Sequence, residues 1–151
     1  MALGMENGTI RDDQITASSE YNSAFSASNG RLNYTRESGK IGVWSARISD
    51  RNQWLQEHFE RSTIITGIST QGRDSFHQHV KSYTISFSVD GAKFHNYQPN
   101  GIPEIFEGNS DGASIVNHIF APSIVAEIIR VQPIAWKDHI SMRAEFYGCY
   151  Y

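Results

Sequence analysis

The sequence has almost no cysteine, little proline and no long apolar run. Among 151 residues there is one cysteine, Cys149, and there are four prolines. A single thiol cannot close an internal disulfide, which excludes a small disulfide-stapled scaffold. It fits a reducing compartment, or it is a half-cystine whose partner lies outside the sequence. No stretch approaches the roughly 18 apolar residues of a membrane-spanning helix. The opening Met1-Ala2-Leu3-Gly4-Met5-Glu6 lacks the basic-then-apolar order of a signal peptide. Thirteen Lys plus Arg against 16 Asp plus Glu give a net charge of -3. That leaves no cationic excess for broad nucleic-acid binding, only room for a local basic patch. With 39% hydrophobic and 12% aromatic residues, the chain is not disordered.

Helical periodicity is also missing. Short runs of β-branched and aromatic residues alternate with Gly, Asn, Asp, Ser and Pro. Residues 64–71 read as a strand ended by Gly72. Residues 80–89 place Tyr83, Ile85, Phe87 and Val89 on one face, and Asp90-Gly91 signals the turn that follows. Further strands are expected at 102–106, 115–120, 126–133 and 142–148. In the last of these Met142, Ala144 and Phe146 share one face, and Arg143, Glu145 and Tyr147 the other. Without βαβ alternation, this spacing predicts an all-β, antiparallel jelly-roll-like sandwich or barrel, and residues 1–151 read as a single domain. Polar loops are expected over 18–30, carrying Tyr21 and Phe25, and over 34–42 and 72–79.

Catalytic motifs are absent. The sequence has no Gly-rich phosphate loop, no HExxH, no paired Cys motif and no Gly-x-Ser-x-Gly elbow. His77-Gln78-His79 puts two imidazoles on one strand face, but no further ligand cluster stands beside it, so solvated loop histidines are the better reading. No enzyme activity, metal or cofactor is predicted, structural calcium included.

An ordered series of motifs spans the chain. It opens with Leu3-Gly4-Met5-Glu6-Asn7-Gly8 and Asp13-Gln14-Ile15-Thr16-Ala17-Ser18-Ser19. It continues through Arg31-Leu32-Asn33, Val43-Trp44-Ser45, Gln53-Trp54-Leu55-Gln56 and Thr70-Gln71-Gly72. Phe106-Glu107-Gly108-Asn109, Ile129-Arg130-Val131 and Ile140-Ser141-Met142-Arg143 follow, ending at Tyr147-Gly148-Cys149. The series resembles the discoidin family, the coagulation factor V/VIII type C domains, most of all neuropilin-type and invertebrate discoidin-like members. The resemblance implies a galactose-binding-domain-like β-sandwich of about eight strands with binding loops at one end. It also implies an extracellular, non-enzymatic recognition module whose ligands include phosphatidylserine membranes, glycans, collagen and peptide C-termini. The family pairs the cysteine matching Cys149 with one just before the Leu-Gly-Met segment, so Met1 is read as a start introduced by excision and Cys149 as an orphaned half-cystine. Asn7-Gly8-Thr9 and Asn33-Tyr34-Thr35 are N-glycosylation sequons, consistent with secretion.

The same resemblance selects the site. Tyr21 and Phe25 match loop aromatics, Ser45 matches a pocket hydroxyl, and Arg47, Asp50, Arg73 and His77 lie on the neighbouring loops. Membrane phospholipid headgroups or cell-surface glycans are the expected partners. A neuropilin-type pocket for a C-terminal arginine ranks lower, because the position of its essential Asp falls on Ser49, with Asp50 one residue away. A protein-binding module and an accessory domain of a larger enzyme are the other readings. One departure is internal: Glu57 stands where relatives commonly carry a core valine, a costly substitution unless the carboxylate is paired or reaches water.

Overall fold

Alternating burial over residues rich in Val, Ile, Thr and aromatics makes strands wherever a partner edge is available. The computed structural model describes residues 1–36 and 39–151; positions 37 and 38 of the expected 34–42 loop lie outside them. Eight strands are seen: β1 Ile15–Ala17, β2 Trp44–Ser45, β3 Leu55–Gln71, β4 His79–Ser88, β5 His95–Asn96, β6 Phe106–Glu107, β7 Val116–Lys137 and β8 Ser141–Tyr150. Three single-turn 3-10 helices, Asp12–Gln14, Ser23–Phe25 and Ala27–Asn29, are the only helical elements among the described residues. All strand pairings are antiparallel, in the order β2-β8-β3-β7-β4-β5, with β1 on β3 and β6 on β4.

One sheet becomes two layers because its longest strands bend. The β3–β7 register shifts between His58 and Thr63 and again between Ile65 and Gly67, and Glu60 takes a left-handed φ of 67°. The expected strands 115–120 and 126–133 are thus one strand, β7, interrupted around Pro122. That proline falls in the stretch left out of the ladder, where its missing N–H costs nothing. The expected strand at 102–106 shrinks to Phe106–Glu107. Pro103 lacks a donor, Ile102 and Ile105 are exposed, and only Phe106 enters the core, stacked on Tyr83 at 5.5 Å.

The core between the layers contains Trp44, Ile65, Ile68, Tyr83, Ile85, Ile129, Ile140, Met142 and Phe146, all 2% exposed or less. Each such side chain contributes roughly 1.5–3 kcal/mol by leaving water. Strand β8 is buried on both faces, and its polar face anchors the loops. Arg143 donates to the carbonyls of Gly72 at 2.8 Å, Tyr34 at 2.9 Å and Gly112 at 2.8 Å, tying three loops to one strand. Glu145 accepts the amides of Met5, Glu6 and Phe146 and so fixes the N-terminal segment. Cys149 is a free, exposed thiol near the end of β8.

Candidate ligand-binding site

The aromatic loop is held by its own polar residues. Asn22 accepts the Ala24 amide and starts the Ser23–Phe25 turn. Glu20 accepts the Ala27 amide at 2.6 Å, and the buried Asn29 donates to the carbonyls of Ala24 and Ile41. Trp44 Nε1 donates to Ser19 O, and the Tyr21 amide donates to Ser45 O. Loop and β2 are therefore joined on both sides of Tyr21.

This brings Tyr21, Phe25, Ser45, Arg73, Gln78 and His139 around one pocket of about 180 Å³. Tyr21 meets Phe25 edge-to-face at 5.3 Å and His139 likewise at 5.6 Å. The Arg73 guanidinium lies 5.1 Å from the Phe25 ring and 3.7 Å from that of Phe76. Arg73 Nη1 donates to Gln78 Oε1, which also accepts from Ser141 Oγ, and Ser141 and Ser45 share a hydrogen bond of 2.7 Å. His139 is fixed at both nitrogens, to Ala46 O at 2.6 Å and to Ser49 Oγ at 3.1 Å. Since a carbonyl only accepts, Nε2 carries a proton. The Arg73 Nε–H, by contrast, is buried with no acceptor among the described residues. Burial, then the nearby Arg36, lowers the Arg73 pKa, though a guanidinium stays charged. The site thus offers a fixed cation with an unused donor against two ring edges.

Four of the seven residues expected from sequence, Tyr21, Phe25, Ser45 and Arg73, line this pocket; Arg47, Asp50 and His77 do not. Ser45 is 2% exposed with its hydroxyl engaged by Ser141, so it forms the floor rather than a free donor. Asp50 caps its own turn, accepting from the Asn52 amide and Gln53 Nε2, and these bonds, Gln53's first, lower its pKa. Arg47 points to solvent, with its amide held by Ser19 Oγ. His77 lines a separate groove beside His79, and no group of three metal-ligating side chains forms among the described residues. Gln78 and His139 escaped the sequence reading, as did Phe76, 50% exposed and packed against the Arg73 guanidinium.

Comparison with known proteins places this geometry. The F5/8 type C domain family model matches residues 14–146. The chain belongs to the F5/8 type C, or discoidin, family. It is 38% identical to lactadherin of Rattus norvegicus over 97% of this chain and 36% of the relative. It is 35% identical to coagulation factor VIII of Sus scrofa over 99% of this chain and 7% of the relative. Discoidin II of Dictyostelium discoideum superposes with a TM-score of 0.82 at 31% identity, over 89% of this chain and 53% of that one. The discoidin domain described here spans little more than a third of these curated relatives at most. Among its described residues no helix is long and apolar enough to cross a membrane.

Proposed function

We propose that this discoidin domain is an extracellular recognition module whose loop end binds an anionic phospholipid headgroup at a membrane surface. The carrying observation is Arg73: its buried Nε–H lacks an acceptor among the described residues, in a pocket lined by exposed Tyr21 and with exposed Phe76 against the guanidinium. A phosphate or carboxylate oxygen supplies that acceptor while the apolar tips enter the interface. Each tip contributes roughly 1.5–3 kcal/mol at most, and each basic residue near the surface about 1 kcal/mol.

The reading is one of binding rather than catalysis. Ser45 and His139, the pocket's nucleophile and base types, are each engaged by other partners and not by one another. A peptide ending in arginine is disfavoured, since among the described residues the lining carries a cation and no carboxylate. A neutral glycan is the second reading, supported by the aromatic edges beside the Arg73 and Gln78 hydrogen-bonding groups. Sedimentation with phosphatidylcholine vesicles, with and without phosphatidylserine, separates the two. Serine-lipid-dependent binding that weakens with salt and is lost in Arg73→Ala is expected. Equal binding to both vesicle types removes the headgroup role, and a glycan-array signal without vesicle binding selects the second reading.

A further inference from the structure

A second groove, of about 690 Å³, is lined in part by His79, Lys81, Glu107, Asn109, Ser110 and Lys137. It shares no lining residue with the Tyr21 pocket. Its walls are set by backbone pairing. His79 stands opposite Lys137 in the β4–β7 ladder, and Glu107 opposite Ser82 in the β4–β6 pair. The amides of Gly108 and Asn109 then continue onto the carbonyls of Lys81 and Val80 at 2.7 and 2.8 Å. Only glycine fits at 108, where a Cβ would lie 2.3 Å from Val80 O.

Two polar side chains in this groove are buried and incomplete. Asn109 is 4% exposed; its amide nitrogen donates to Thr70 O and Ser114 O, and its Oδ1 has no partner among the described residues. His79 is 6% exposed, and its Nδ1 likewise has no partner among the described residues. Burial, then Lys81, lowers the His79 pKa, so the ring is neutral and one nitrogen is an acceptor. An amide oxygen accepts and never donates. Its partner must therefore bring an O–H or N–H, which a bare anion cannot. The exposed ammonium groups of Lys81 and Lys137 disfavour a metal ion and call for an acceptor of negative charge. Glu107 and Ser110 add further sites for hydroxyl donors. Among the described residues the lining has no Phe, Tyr or Trp, so a sugar here is read chiefly by its hydroxyls.

We propose that this groove is a second ligand site that takes an acidic saccharide, its hydroxyls meeting Asn109 Oδ1 and His79 Nδ1 and its carboxylate or sulfate facing Lys81 and Lys137. The proposal goes beyond the membrane reading and uses none of that pocket's residues. The test is amide and side-chain NMR titration of the intact chain with glucuronate, beside galactose and inorganic phosphate. Glucuronate should give saturable shifts at His79, Lys137 and the Asn109 side-chain amide. Lys81→Ala with Lys137→Ala should weaken it about tenfold without moving the melting temperature, whereas Tyr21→Ala should leave it unchanged. Three results overturn the site: no saturable shift in the wild-type chain, shifts that map to Tyr21 and Arg73 instead, or phosphate matching glucuronate in affinity and shift pattern. Stronger binding of galactose than glucuronate overturns the acidic requirement.

Discussion

Strands β3 and β8 lie side by side and each buries ionisable groups, with opposite outcomes. On β8, Arg143 and Glu145 are 3% and 1% exposed, and between them they hold three loop carbonyls and three amides. On β3, Glu57 is 1% exposed and neither carboxyl oxygen has a partner among the described residues. The difference lies in what each face meets. The polar face of β8 meets the ends of chain segments, where backbone groups need partners. Glu57 instead stands in register between Ile15 and Ile129, both core residues with their backbone groups already in the ladder. Burial therefore pushes its pKa well above the ordinary 4.5. Arg31 pulls it down, and Glu145 and Glu60 push it further up. Arg31 makes no bond to it, being engaged with Ser28, Met5 and Asp12.

The largest effect should come from the satisfied side. Arg143→Leu removes three hydrogen bonds and leaves the carbonyls of Gly72, Tyr34 and Gly112 without that donor. A loss of about 3 kcal/mol is expected, read as a shift of the urea midpoint at constant slope. Because the same residue braces the 72–79 loop, ligand binding should weaken with it. A loss below about 1 kcal/mol would mean that the loops are anchored elsewhere.

The unsatisfied side should respond in the opposite sense. Glu57→Met keeps side-chain length and removes the stranded carboxyl, so stability at pH 7 should rise by about 1–3 kcal/mol. The wild-type chain should also lose stability as pH rises. Below the ordinary value of 4.5 both folded and unfolded chains are protonated at this position. Above it the unfolded chain releases the proton and the folded chain keeps it. Stability then falls by about 1.4 kcal/mol per pH unit until the folded carboxyl itself ionises. Glu57→Gln should flatten that slope, measured by urea unfolding across the pH range. An unchanged slope would show that Glu57 reaches water or a partner in solution.

How far the sequence discloses this contrast is instructive. The alternation in 80–89 and 142–148 locates β4 and β8, and the order of the motifs brings Tyr21, Phe25, Ser45 and Arg73 together. The first half of β3 is harder to see because Glu57, His58, Glu60 and Arg61 break its apolar pattern. Asp50 reads as a ligand-binding carboxylate, but the local competition from the Asn52 amide takes it. Gln78 is overshadowed by the two histidines around it. His139 has no local mark at all: the β7–β8 turn, with Asp138 at a left-handed φ of 61°, swings it against Tyr21. Such a contact is a product of topology, and a reading of neighbours along the chain does not contain it.

Next to Glu57, His58 points the other way and meets Glu127 at 3.0 Å, both partners being substantially exposed. Glu127 is thus the partner of His58 and not of Glu57. Pairing at the surface should matter far less than pairing in the core. A double-mutant cycle with His58→Ala and Glu127→Ala should give a coupling below about 1 kcal/mol that shrinks with salt. A larger coupling would erase the distinction between the two faces of this strand.

The smallest effect on stability should come from Tyr21, and it is the one that bears on function. Its ring is 55% exposed and touches only Phe25 and His139 among the rings around it. Its amide is held by Ser45 O, a contact that any residue at this position makes. Truncation should therefore change stability by no more than about 0.5 kcal/mol, as for other exposed side chains. Tyr21→Ala should melt with the wild-type chain yet lose vesicle binding, because the pocket loses its exposed apolar tip and one of the two rings, Tyr21 and Phe25, that line it. Phe25→Ala is the contrasting partner: Phe25 is half-buried beneath Arg73, so it should lower both stability and binding. If Tyr21→Ala melts clearly lower, the ring belongs to the core of its loop. If it binds vesicles as before, the loop end is not where the membrane is met.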